Sequence, residues 1–150
     1  MAISDKLATF GLAEALNTGA AGDYILGDAI DIVTARDIGA GRPLYLVLSV
    51  STACTSGGSA TAAFSLITGA ADPTVTSDDV LMLTAPIAVA DMTLGATLAV
   101  IAIPMEGAVP YERYLGLMQT TATAAFTAGA INAYLTLDPP KWQAYPEGQN

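Results

Sequence analysis

Residues 44–50 read LYLVLSV, and within them Leu44, Leu46, Leu48 and Val50 alternate with Tyr45, Val47 and Ser49. A period of two places one set of side chains on one face of an extended chain, which is the pattern of a β-strand backed by a core and not of a helix. Residues 36–43 (RDIGAGRP) precede it and form a turn with two glycines and a proline. Pro43 has no N–H to give to a ladder, so it belongs where the strand begins and not inside it. Upstream again, Ile30 and Ile32 alternate with Asp31 and Val33. Strand, glycine turn, strand is the local reading.

The same grammar recurs along the chain. Residues 60–68, 80–87, 97–103, 113–121 and 130–137 are apolar runs of strand length, containing β-branched or aromatic types. They are separated by turn chemistry: Gly57-Gly58, Asp72-Pro73, the stretch from Asp91 to Gly95, that from Gly107 to Pro110, Gly129, and Asp138-Pro139-Pro140. Seven or eight strands with no helical pattern between them exclude a βαβ architecture. They predict an all-β fold, an antiparallel two-sheet sandwich over residues 23–138, with a C-terminal tail over 139–150. Residues 1–22 are open to two readings. Leu7, Phe10, Ala13 and Leu16 fall near helical spacing, with Ser4 placed to cap and Gly19 to stop a short surface helix; the alternative is an extended N-terminal arm. Either way Leu7, Phe10 and Leu12 are too apolar to be left in water.

A chain of 150 residues can bury a core without staples, and Cys54, the single cysteine, allows no internal disulfide. A free thiol favours assembly in a cytoplasm. Five basic against fourteen acidic residues leave a net charge of −9, so the basic footprint that nucleic acid requires is missing. Two charge-free stretches, 43–71 and 114–137, are interrupted by small polar residues and do not read as membrane spans. With only 13% charged residues, against about 25% in ordinary soluble domains, the chain is expected to hide surface against other subunits.

Catalytic chemistry finds little purchase. There is no histidine, which removes the commonest general base and transition-metal ligand and leaves Cys54 and the serines without an activating partner. Cys54 reads as a small apolar filler. Gly39-Ala40-Gly41 begins like a dinucleotide fingerprint, but Leu44 stands where the third glycine is needed and a strand follows in place of a helix. Asp23, Asp28 and Asp31 match no EF-hand spacing and read as a solvated acidic face. No cofactor or metal is expected, and a carboxylate hydrolase is the remote enzymatic alternative.

Taken together, residues 29–50 (AIDIVTARDIGAGRPLYLVLSV), 110–117 (PYERYLGL), 127–137 (TAGAINAYLTL) and 142–145 (WQAY) resemble, in the same order, the capsid cement proteins of tailed phages of the Bordetella-phage type. The resemblance implies a jelly roll on the outer surface of an icosahedral head, clamping the major capsid protein, and an N-terminal arm that reaches a neighbour. A homo-oligomer is expected, a dimer ahead of a trimer, and the composition leaves neither nucleic acid nor membrane as a partner. Candidate interface residues are the apolar Leu7, Phe10 and Leu12, the scarce arginines Arg36, Arg42 and Arg113, and the tail aromatics Trp142 and Tyr145. Each has a plainer reading. The arginines can pair internally, Arg36 with Asp37 or Asp31 and Arg113 with Glu112, and the tail can fold back over its own sandwich. A carbohydrate- or receptor-binding sandwich is the alternative function, with Tyr24, Tyr45, Tyr111, Tyr114 and Tyr134 available for a shallow aromatic site.

Overall fold

The period-two runs become the ladders of two facing sheets. In a computed structural model, which describes residues 6–35, 38, 41–76, 79–104 and 109–139, the strands are β1 (Thr9–Ala15), β2 (Gly22–Asp31), β3 (Tyr45–Ser56), β4 (Thr61–Gly69), β5 (Asp79–Leu83), β6 (Ile87–Ala88), β7 (Thr97–Ala102), β8 (Tyr114–Ala122) and β9 (Phe126–Thr136). Short 3-10 turns occur at Lys6–Ala8 and Val89–Asp91. One sheet has the order β1-β9-β3-β7 and the other β2-β8-β4-β5, with β6 added to β4. Each pairing is antiparallel. The chain crosses repeatedly from one sheet to the other, which is the winding of a jelly roll. The expected sandwich is therefore present, with nine strands, β6 being only two residues long.

Register follows from burial. Leu46, Leu48 and Val50 on β3 lie opposite Leu135, Ala133 and Ile131 on β9, and all six are buried in one core with Phe64, Leu66, Leu115 and Leu117 of the other sheet. A slip of one residue would turn each set to solvent, and each large side chain kept dry contributes about 1.5–3 kcal/mol.

Two elements depart from the sequence reading. The segment over 1–22, expected as a short helix or as an arm on a neighbour, supplies β1, which pairs with β9 of its own chain. Phe10 and Leu16 are buried in the core, so residue 22 marks no break in the fold. The helical spacing was misleading because β1 is bulged: its register shifts between Thr9 and Gly11 and again between Gly11 and Glu14, with Ala13 at φ +53, and a bulge breaks the period of two. The run 80–87 is likewise two strands, β5 and β6. Between them Thr84 turns inward and pairs through both backbone and side chain with Phe64, and Pro86 has no N–H with which to extend the ladder.

Several connections are held by buried polar side chains. Gln119 on β8 is fully buried. Its Oε1 accepts the Asn17 N–H at 3.0 Å, and its amide nitrogen donates to the Asn17 carbonyl at 3.2 Å and to the Thr121 hydroxyl at 2.7 Å. The side chain thus substitutes for a strand partner where the β1–β2 connection crosses between sheets.

Candidate interaction surface

β1 and β2 are edge strands of different sheets on the same flank of the sandwich, and how closely they approach varies along their length. At Gly27 the backbone has φ +64 and meets the Phe10 carbonyl so closely that no Cβ fits between them; only glycine satisfies both conditions. Around that point the pairing of β2 with β8 shifts register between Leu26 and Ile30. A groove of about 790 Å3 is lined by Leu7, Phe10, Leu12 and Ile30, with Lys6, Asp28 and Asp31 among its polar groups. Leu7 is 82% and Leu12 58% exposed. Phe10 is 1% exposed and belongs to the core. It is part of the lining and not a free anchor, which corrects its expected place among the interface residues.

Asp31 holds one boundary of this flank. Arg113 donates from Nε to Asp31 Oδ1 at 3.0 Å and from Nη2 to Oδ2 at 2.8 Å, a two-pronged geometry suited to guanidinium and carboxylate. The Arg113 guanidinium also lies 4.9 Å from the centre of the Tyr114 ring. These bonds, and then the Val33 N–H donated to Oδ1 at 2.7 Å, hold the Asp31 carboxyl below its ordinary range, and Asp31 in turn raises Arg113. Internal pairing of Arg113 is thus the arrangement found, with Asp31 as its partner in place of Glu112. The residues are far apart in sequence, but β2 and β8 place Asp31 opposite Tyr114. The same contact fixes Val33, a β-branched residue at φ +68 whose side chain is 69% exposed. That backbone region is costly for such a residue.

Of the sequence-derived candidates, Leu7 and Leu12 share the groove, and Arg113 reaches it through Asp31. Arg42 is exposed ahead of β3 and lines no part of it. Arg36, Trp142 and Tyr145 lie outside the described residues. Sequence reasoning did not mark Ile30 or Val33 as interface residues, and it took Asp28 and Asp31 for a solvated acidic face, with Asp31 also offered as a partner for Arg36. The available signal was Gly27, which marks the point where the β2 pattern is interrupted.

The remaining chemical candidates are occupied structurally. Cys54 is buried, and burial pushes its thiol pKa up, away from the thiolate a nucleophile needs. Asp23 accepts the Thr120 hydroxyl. The five candidate tyrosines are dispersed: Tyr24 donates to the Ala20 carbonyl, Tyr111 is buried and donates to the Pro104 carbonyl, and Tyr114 underlies Arg113. Tyr45 and Tyr134 sit on neighbouring strands of the other sheet.

In comparisons with known proteins, the Bbp16 family model, named for a Bordetella phage protein, matches residues 12–135. The match runs from within β1 to near the end of β9 and so takes in both sheets. No curated protein matches the chain.

Proposed function

Since the chain belongs to the Bbp16 family of phage virion proteins, we propose that it is a head cement protein: a non-enzymatic subunit that binds the outside of the major capsid protein shell and stabilises it. The observation that carries this reading is where the apolar surface lies. Inside, the sandwich buries one apolar core; outside, large apolar side chains stand exposed along its edges, Leu7, Leu12 and Val33 beside β1 and β2, and Val80 and Leu83 on β5. A charge-poor, acidic subunit with greasy flanks gains most by wedging between other subunits and has little attraction to packaged DNA.

The mechanism is mechanical. A rigid sandwich set over a junction between capsid subunits buries area on more than one of them, and many symmetric copies multiply a modest contact into a stable shell. Self-association into a dimer or trimer belongs to the same proposal.

The test uses heads that lack this protein. Added wild-type chain should bind them and raise the temperature at which they rupture. Heads that rupture at the same temperature with and without it would sink the cement role. Deleting residues 1–22 is a poor probe of binding, because it removes β1 from the protein's own sheet.

A further inference from the structure

We propose that the β1–β2 groove receives an extended segment of the shell protein in which a lysine or arginine lies between apolar side chains; this rests on the cement reading. The lining sets the chemistry. Leu7, Leu12, Phe10 and Ile30 offer an apolar trough of the size of ordinary ligand clefts. In this lining Asp31 is paired with Arg113, which leaves Asp28 beside Lys6, so the preference in charge comes from the chain as a whole, which carries −9. A cationic segment is therefore drawn in and an acidic one repelled. Asp31 is already gripped by Arg113, so the incoming cation meets Asp28.

The edges set the mode. A guest strand that extends a sheet needs a continuous row of free backbone groups. Here β1 is bulged across Gly11 to Glu14 and β2 across Leu26 to Ile30, and bulges of this kind guard an edge against pairing. Recognition then falls to side chains seated in the trough and not to a backbone ladder. Val33, held out into solvent close to Asp31, adds an apolar contact at the rim.

Binding to heads that lack the protein separates the outcomes. Leu12→Asp and Asp28→Lys should each weaken binding about tenfold or more, Asp28→Asn less, while Leu94→Asp, in the turn ahead of β7 at the far edge of the β1-β9-β3-β7 sheet, should leave it unchanged. All three sites are exposed, so the free variants should unfold at near the wild-type temperature, and a thermal melt checks this. Groove variants that bind like wild type, or a Leu94→Asp loss as large as theirs, overturn the groove while leaving the cement role standing. Wild-type chain that does not bind heads overturns both.

Discussion

The two sheets enclose one core but are built from different chemistry. The β1-β9-β3-β7 sheet contains a single charged residue, Glu14, whereas the strands of the other sheet carry Asp23, Asp28, Asp31 and Asp79, with Arg113 immediately ahead of β8. The contrast continues inward. All five buried polar side chains among the described residues, Ser65, Thr68, Thr84, Gln119 and Thr121, lie on β4, on β8 or just after β5. The outer face of that sheet is also partly covered. Ser65 and Ile67 alternate with core residues yet are buried, and Pro73 lies so close over Gly116 that a side chain at residue 116 would collide with it. One sheet is thus held by its ladder and by apolar burial, while the other also straps down the connections that cross it. Thr68 shows how: its hydroxyl donates to the Tyr114 carbonyl and accepts the Glu112 N–H, anchoring the segment that leads into β8.

This contrast predicts a ranking of stability losses. The largest belongs to the apolar sheet. Leu48→Ala, at a position with no exposure, should cost about 2–5 kcal/mol through lost burial and the cavity left behind, or roughly 5–15 °C in melting temperature for a domain of this size. Next comes the strapped sheet. Gln119→Met keeps the approximate shape of the side chain but leaves the Asn17 N–H and carbonyl without their partner. At about 1–3 kcal/mol for a fully buried group left unpaired, and less for the two Asn17 groups because they are only part-buried, the loss should be roughly 2–4 kcal/mol, measured as a shift in urea midpoint. A Gln119→Met protein as stable as wild type would mean that the strap is ornamental and that the sheets do not differ in the way described.

The two kinds of construction also differ in how legible they were. Apolar alternation is a local signal, so β3, β4, β8 and β9 could be read from residues such as Leu46, Leu48, Phe64, Leu66, Ile131 and Leu135. Straps are not local. Nothing near Gln119 announces Asn17, and nothing near Asp31 announces Arg113, because each pair is brought together by strand order, which no periodicity encodes. β1 was obscured for a second reason, its bulge, which throws Leu12 and Ala13 out of phase with Phe10 and Leu16. The groove inherits both difficulties. Its leucines were legible as apolar residues in need of cover, but its existence depends on β1 and β2 being edges on the same flank and on Gly27 closing one end.

The smallest effect separates surface from interior within the strapped sheet. Asp31→Asn removes one charge from the exposed pair with Arg113, and exposed pairs are worth little because water and salt screen them. The sign of its pH dependence is nevertheless fixed. Bonding to Arg113 first, and to the Val33 N–H second, places the folded carboxyl below its ordinary value. Its contribution is therefore complete above the pKa of an unfolded aspartate, about 3.9, and is lost as the pH falls through the lower folded value. Wild type should be slightly more stable than Asp31→Asn near neutral pH, with the gap closing in acid and narrowing in concentrated salt, as followed by paired urea titrations. A gap that persisted in strong acid would assign the role of Asp31 to something other than its charge. The bond to the Val33 N–H would then be the contact to examine, because it holds the left-handed backbone at the rim of the groove.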